Sequence, residues 1–272
     1  MTRTPVSAVL FDMDGLMIDS ERLYTVATNQ LLEPYGKTLT WETKVRTYPS
    51  ANPPKLATDS FLLLRPISPP LVSVHLGRCL QANLMGRPAH ISAQYLIEAT
   101  GIPLTVDELL STMDQRLAEL FKTVEPLPGV VKLVHHLEKH KIPMAIATGS
   151  KKKNFLIKSA HLQHLFGPFS TNVLCGDDPI LEGKGKPDPT IFIEAAKMLG
   201  IDSPEERSKV LVFEDGVSGV QAARAAGMEV VWIPDPELLT TLGDHGLNPS
   251  HQHSSMEDFD PAAWGLPPYD DQ

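Results

Sequence analysis

The sequence lacks the features that point to a membrane, a nucleic-acid polymer or an oxidising compartment. Its 272 residues include only two cysteines, Cys79 and Cys175, so neither a disulfide framework nor a cysteine-based zinc site is indicated. No apolar run approaches the about 20 residues that a membrane helix needs. No long basic run occurs and the formal net charge is −9, which disfavours a nucleic-acid polymer as the main partner. Residues 1–6 are polar and do not resemble a signal peptide, so we expect a cytoplasmic protein without a membrane partner.

Short apolar runs alternate with helical patterns through most of the chain, which predicts an α/β fold with a parallel sheet and helices on both faces. Between the first apolar run and residue 126 the patterns are helical, with no good strand, which predicts an inserted helical domain. The predicted strands are residues 8–11, 144–147, 172–175, 210–213 and 229–233.

Two carboxylates follow the first predicted strand. Asp12 and Asp14 occupy positions i and i+2, which share one face of an extended chain, and Gly15 comes next. Both side chains can point into the crevice at the carboxyl edge of the sheet, where open α/β sheets bind ligands. Their mutual repulsion favours a bound cation such as Mg²⁺. The alternative is a solvated turn that merely ends the strand.

Two more polar clusters follow apolar runs in the same way, and a third lies between them. Thr148 comes directly after the second predicted strand, and Glu214 and Asp215 come directly after the fourth. Lys186 lies between them, immediately before a Pro-Asp-Pro sequence. Taken alone, Thr148 is also a usual helix N-cap and Lys186 is also an ordinary solvated loop lysine.

These four clusters, in this order, resemble the four motifs of the haloacid dehalogenase (HAD) superfamily of phosphotransferases. The resemblance implies a HAD-like Rossmannoid core with a parallel sheet and an inserted all-helical cap domain. We assign residues 1–15 and 126–272 to the core and residues 16–125 to the cap.

The resemblance also implies roles for the motif residues. Asp12 would attack phosphorus and form an aspartyl-phosphate, which divides one slow displacement into two easier steps. Asp14 would protonate the leaving oxygen and then activate water. Thr148 and the backbone of Gly149 would hold the phosphoryl oxygens, and Lys186 would supply positive charge.

Magnesium is the cofactor that the resemblance implies. Its ligands would be the side chains of Asp12 and Asp215 and the backbone carbonyl of Asp14, with Glu214 close by. The partner would be a small-molecule phosphate ester, and we expect a monomer.

Several further stretches, among them residues 12–24, 175–179 and 264–269, resemble those of pseudouridine-5′-phosphatases. That likeness implies hydrolysis of pseudouridine 5′-phosphate or a related nucleotide or sugar phosphate. Arg87 would contact the substrate, although a surface arginine on a loop fits its position equally well. Two alternatives stay open, a sugar phosphomutase similar to β-phosphoglucomutase and a catalytically silent binding protein of the same fold.

Residues 45–81 have an anomalous composition for the middle of a domain. Six of the chain's 24 prolines lie there, and no helical or strand period is sustained. Removing the stretch joins residues 41–44 to residues 82–86 with the continuity expected of a related phosphatase. We interpret it as a retained intron translated in frame, with a disordered insertion as the alternative.

Overall fold

A computed structural model of the protein describes residues 5–39, 89–236, 238–239 and 246–270. Arg87 and residues 45–81 lie outside these described residues, so the interpretations given for them stay predictions. None of the helices in the described ranges combines the length and the apolar character needed to cross a membrane.

A six-stranded parallel sheet forms the centre of the fold, with strand order β3-β2-β1-β4-β5-β6. The sheet confirms the predicted α/β class. Its strands are β1 (Ala8–Phe11), β2 (Met144–Thr148), β3 (Val173–Cys175), β4 (Val210–Glu214), β5 (Glu229–Trp232) and β6 (His251–Gln252).

Strands β1, β2 and β4 are buried along their whole length, as expected for a parallel sheet that helices cover on both faces. β1 lies between β2 and β4, with Phe11 beside Ile146 on one side and Phe213 on the other. The rings of Phe11 and Phe213 stack with their centroids 5.2 Å apart. The ends of these three strands are therefore held in fixed register by apolar packing.

Nine α-helices lie in the described part of the chain. They are α1 (Ser20–Leu32), α2 (Ala89–Thr100), α3 (Val106–Leu120), α4 (Val130–Lys139), α5 (Lys152–Ser159), α6 (Gln163–Phe166), α7 (Thr190–Met198), α8 (Pro204–Arg207) and α9 (Val217–Ala225). The helices α4 to α9 alternate with the strands along the chain, which gives the crossover connections of a parallel sheet.

The chain divides into two compact units, one of residues 1–27 and 115–272 and the other of residues 28–114. The first unit contains the sheet. The described part of the second is helical, and its core includes the buried side chains of Leu31, Leu96 and Leu109. The divisions fall inside α1 and α3, and the cap limits of 16–125 stay a prediction.

Two glycines with nearly the same backbone conformation differ in what surrounds them. Gly129 has φ 79° and precedes α4, and a Cβ placed on it would lie 2.6 Å from the backbone nitrogen of Glu257. Gly200 has φ 78° and follows α7, with nothing within 4 Å of a Cβ. Both positions need the left-handed conformation, but close backbone approach constrains Gly129 alone.

We expect Gly129→Ala to destabilise the protein more than the matched variant Gly200→Ala. Each variant places alanine at positive φ, a cost of about 1–2 kcal/mol. Gly129→Ala adds a backbone clash that forces a further shift, for a total of about 3 kcal/mol. Urea denaturation of both variants measures the free energies of unfolding. Equal losses would show that the contact with Glu257 does not constrain Gly129.

Candidate active site

Three neighbouring strands end in polar side chains at one edge of the sheet. Asp12 directly follows β1, Thr148 is the last residue of β2, and Glu214 is the last residue of β4, with Asp215 after it. Because β2, β1 and β4 are adjacent and parallel, their carboxyl ends meet at the same place. The sheet therefore brings together residues that are separated by as many as two hundred positions in the chain.

Lys186 joins two of these carboxylates. Its Nζ donates to Oδ1 of Asp12 and lies 2.7 Å from Oε1 of Glu214. Only 10% of the lysine side chain is exposed, and the ammonium sits 4.8 Å from the ring centroid of Phe192. The structure thus excludes the alternative of a solvated loop lysine. The two carboxylates raise the pKa of Lys186 against the opposing effect of burial, so the lysine stays charged.

Burial is the main cause of the altered titration of Asp12. It raises the pKa of this carboxyl to about 7, although Lys186 acts in the opposite direction. The nearby charge of Glu214 raises it further. The pKa of Asp215 is raised well above its usual value, again by burial first and then by Glu214 and Asp12.

Glu214 is held by the backbone of the turn that follows β4. Its Oε2 accepts a hydrogen bond of 2.8 Å from the N–H of Gly216, while Oε1 faces Lys186. A Cβ on Gly219 of α9 would fall 1.6 Å from Oε1, so the helix can approach the carboxylate only through a glycine. Glu214 therefore orients Lys186 from a fixed position.

Asp215 comes close to the loop that follows β1. A Cβ on Gly15 would lie 2.3 Å from Oδ2 of Asp215, and Gly15 adopts φ 80°. The backbone carbonyl of Asp215 accepts a hydrogen bond of 2.8 Å from the indole N–H of Trp232 in β5. The glycine therefore allows the Asp215 carboxylate to approach the backbone next to Asp14.

The charge balance of this edge fits a divalent cation. Asp12, Glu214 and Asp215 supply three carboxylates, and Lys186 is the cation in contact with two of them. Buried carboxylate oxygens in excess over ammonium groups are a donor set suited to a hard cation such as Mg²⁺. The residues present therefore fit the metal that the sequence predicts.

Asp14 is engaged at both of its carboxylate oxygens. Oδ1 accepts from Nζ of Lys158 at 2.5 Å, and Oδ2 accepts from Oγ of Ser150 at 2.6 Å. The hydroxyl of Thr148 lies 3.4 Å from the same Oδ2. Burial alone would raise the pKa of Asp14, but the charge of Lys158 and the hydrogen bonds from Lys158 and Ser150 lower it below its usual value.

Thr148 is fully buried and does not cap a helix. Its Oγ1 accepts a 3.0 Å hydrogen bond from the N–H of Ser150, whereas the residue that precedes α5 is Lys151. The N-cap alternative for Thr148 is therefore wrong. Gly149 is exposed, and its carbonyl oxygen would lie 2.4 Å from a Cβ on Gly176, so these two loops pass each other closely.

Lys158 and Ser150 belong to this site, but the sequence analysis did not select them. A faint signal exists for Lys158, which is spaced three and four residues from Phe155 and Leu162 in an apolar helical pattern. A lysine at such a position usually buries its aliphatic stem and keeps its ammonium in water, and the sequence alone does not show that a carboxylate meets the ammonium. Ser150 carries no signal beyond its closeness to Thr148.

Another group of metal-binding residue types lies away from the strand ends. Ligand atoms of His136, His140 and Asp270 lie within 4.8 Å of one another. However, Nζ of Lys139 lies 2.7 Å from Oδ2 of Asp270, and Nε2 of His136 bonds the carbonyl oxygen of Pro267 at 2.9 Å. The carboxylate is thus already neutralised by a lysine, and we assign no metal to this group.

Solved structures of other proteins have the same fold. A HAD family hydrolase from Deinococcus radiodurans, whose crystal structure holds phosphate and sodium, gives a TM-score of 0.68 at 20% identity. The match covers 98% of this chain and 100% of that chain. At this identity the likeness establishes the fold.

Sequence comparison identifies the family. A protein of Arabidopsis thaliana named (DL)-glycerol-3-phosphatase 2 is 34% identical, over 99% of this chain and 95% of its own. A Drosophila melanogaster protein named probable pseudouridine-5′-phosphatase is 33% identical, over 98% of this chain and 96% of its own. The family model for a haloacid dehalogenase-like hydrolase matches residues 6–227. The chain therefore belongs to the haloacid dehalogenase-like hydrolases.

Proposed function

We propose that this protein is a Mg²⁺-dependent phosphatase that hydrolyses a small-molecule phosphate monoester through an aspartyl-phosphate on Asp12. The observation that carries the proposal is that the buried carboxylate of Asp12, the charged Lys186 in contact with it and the carboxylate of Asp14 lie together at one edge of the sheet. Phosphoryl transfer depends mainly on positioning and charge neutralisation, which this arrangement supplies. Two relatives over almost the whole chain bear the names of phosphatases.

Asp12 is the nucleophile in this mechanism. Lys186 engages Oδ1, so we assign the attack on phosphorus to Oδ2. As the new oxygen–phosphorus bond forms, the bond from phosphorus to the ester oxygen breaks, and that oxygen takes a proton from Asp14. Asp14 has to enter this step protonated, against the lowering of its pKa by Lys158 and Ser150. In the second step a water molecule returns a proton to Asp14 and attacks phosphorus, which releases phosphate and restores the Asp12 carboxylate.

Thr148 and Lys186 bind the transferred group. The hydroxyl of Thr148, at the end of β2, donates to a phosphoryl oxygen, and the N–H of Gly149 donates beside it. Lys186 balances the charge of that group and of Asp12 together. Magnesium, when bound by Asp12, Asp215 and the backbone carbonyl of Asp14 with Glu214 beside it, supplies further neutralisation of phosphoryl charge.

We propose pseudouridine 5′-phosphate or a related nucleotide or sugar phosphate as the substrate, and Arg87 as a residue that contacts it. The names of the Arabidopsis and Drosophila relatives support a small phosphorylated polyol or nucleoside. A screen of phosphate release over such esters, with Mg²⁺ and with EDTA, identifies the preferred one. We keep a cytoplasmic monomer as the proposed working form.

We expect Asp12→Asn to lower phosphate release by about 10³-fold or more, because it removes the nucleophilic oxygen while preserving the shape of the side chain. Asp202→Asn, the same change at an exposed position, is the control and should match the wild type. Phosphate release in Mg²⁺ measures the rates, and circular dichroism verifies the fold of both variants. Retention of more than a few per cent of wild-type turnover by Asp12→Asn would rule out the covalent route.

We expect water, rather than a sugar hydroxyl, to accept the phosphoryl group. Asp14, held by Ser150 and Lys158, makes attack by water easy if the cap admits water, whereas a mutase must shield its aspartyl-phosphate from water. The test is incubation with β-glucose 1-phosphate and a trace of glucose 1,6-bisphosphate, followed by assays for inorganic phosphate and glucose 6-phosphate. Rapid formation of glucose 6-phosphate with little inorganic phosphate would identify a mutase instead.

A further inference from the structure

Lys158 is a lysine with no exposed side-chain surface. It lies near the end of α5, and its neighbours Phe155 and Ser159 on the same helix face are buried as well. The ammonium lies 4.2 Å from the ring centroid of Phe121 and 5.6 Å from that of Tyr24. A methionine or leucine would fill such a place with no cost of desolvating a charge, so packing alone does not explain a lysine here.

The head group of Lys158 closes a three-membered network. Its Nζ lies 2.5 Å from Oδ1 of Asp14 and 2.9 Å from Oγ of Ser150, and that hydroxyl donates to Oδ2 of Asp14 at 2.6 Å. The lysine and the serine thus hold one oxygen each of the same carboxylate. Two fixed donors on two oxygens leave the carboxylate plane little freedom to rotate.

We propose that Lys158 is a positioning residue for Asp14, and that Ser150 assists it. The inference rests on the proposed function, since it assigns a purpose to the acid–base carboxylate of that mechanism. A second lysine of the site, Lys186, holds Asp12 and Glu214. The protein therefore uses two buried lysines, one for the nucleophile and one for the proton donor and acceptor.

The network has to serve both chemical steps. In the first step a proton passes from Asp14 to the leaving oxygen, and in the second a proton passes from water to Asp14. Both transfers need the carboxylate within hydrogen-bond reach of the reacting oxygen, which is the ester oxygen in the first step and the water oxygen in the second. A misplacement of the carboxylate by about 1 Å can lower the rate about 10²-fold. Lys158 keeps Asp14 in place and is itself neither the donor nor the acceptor in the two transfers.

The test compares Lys158→Met with Lys153→Met, the same change at an exposed position of α5. With an alkyl phosphate substrate, we expect Lys158→Met to lower kcat by about 10²-fold with KM nearly unchanged, and Lys153→Met to match the wild type. An alkoxide is a poor leaving group and depends on the proton from Asp14. A kcat for Lys158→Met within twofold of wild type would overturn the proposal.

Turnover of p-nitrophenyl phosphate distinguishes a positioning role of Lys158 from a general disruption of the active site in Lys158→Met. Nitrophenolate leaves without a proton, so the first step should survive in Lys158→Met while the second, which needs Asp14 as base, slows. We expect a rapid burst of about one nitrophenolate per enzyme, followed by slow turnover. Loss of the burst together with turnover would indicate a collapsed site and overturn the proposal.

A double-mutant cycle on the melting temperature, Tm, tests the pairing of Lys158 with Asp14 without any turnover. Asp14→Asn strands a buried ammonium, and we expect the double variant with Lys158→Met to melt about 5 °C above Asp14→Asn alone. Additive changes in Tm would contradict the pairing. Failure of the proposed function is distinguishable, because it would appear as a wild type that releases no phosphate while the cycle still shows coupling.

Ser150→Ala keeps the inference testable if Lys158→Met does not fold. It deletes a single oxygen that bonds both partners, and we expect a loss of about tenfold in kcat on the alkyl ester together with the same burst on the aryl ester. An unchanged rate in Ser150→Ala would contradict the network.

Discussion

The buried ion pair of Lys186 with Asp12 and Glu214 is the interaction on which the rest of the site depends. Charges are rarely buried without partners, since desolvation costs several kcal/mol per ion. Here the three residues come from separate parts of the chain, and the sheet aligns the two carboxylates. Because Asp215 adds another carboxylate, the cluster stays acidic even with Lys186 in place, and this excess is what makes a divalent cation a fitting occupant.

The backbone around the carboxylates and Lys186 packs closely against them. Gly219 lets α9 pass Glu214, and Gly15 lets the loop after β1 pass Asp215, in both cases at distances that a Cβ would not allow. β1 is apolar throughout, β2 and β4 are apolar up to their last residue, and side chains such as Phe11 and Phe213 fix their register. The rigid packing of the sheet and the close contacts at the two glycines together hold the carboxylates and Lys186, which would otherwise separate and become hydrated.

Much of this arrangement could be predicted from the sequence, because strand ends, glycines and carboxylates leave local patterns. The apolar run before Asp12 and the apolar run before Glu214 and Asp215 placed these carboxylates at one edge of a parallel sheet. The contact of Lys158 with Asp14 could not be predicted in the same way, since the two residues are separated by 144 positions and meet only through tertiary packing.

The ends of some helices and strands also depend on tertiary structure and could not be predicted from the local sequence. The pattern over residues 154–165 predicts one helix, but the structure has α5 ending at Ser159 and α6 starting at Gln163. The backbone of Leu162 is not helical, with φ −110° and ψ 40°. No glycine or proline in residues 159–163 indicates this break. The two-residue strand β6 escaped prediction too, because it is exposed and has histidine and glutamine rather than apolar residues.

The most direct test of the account is to trap the phosphoryl group on the protein. Asp14→Asn is mixed with p-nitrophenyl phosphate and Mg²⁺, quenched in acid and digested with pepsin at low pH, where the acyl phosphate survives. The peptide that contains Asp12 is then fragmented in a mass spectrometer. Without a base to activate water, the phosphoenzyme should accumulate, and the account predicts close to one phosphoryl group per chain, located on Asp12. Release of nitrophenolate with no phosphoryl group on Asp12, or with the group on another residue, would contradict it.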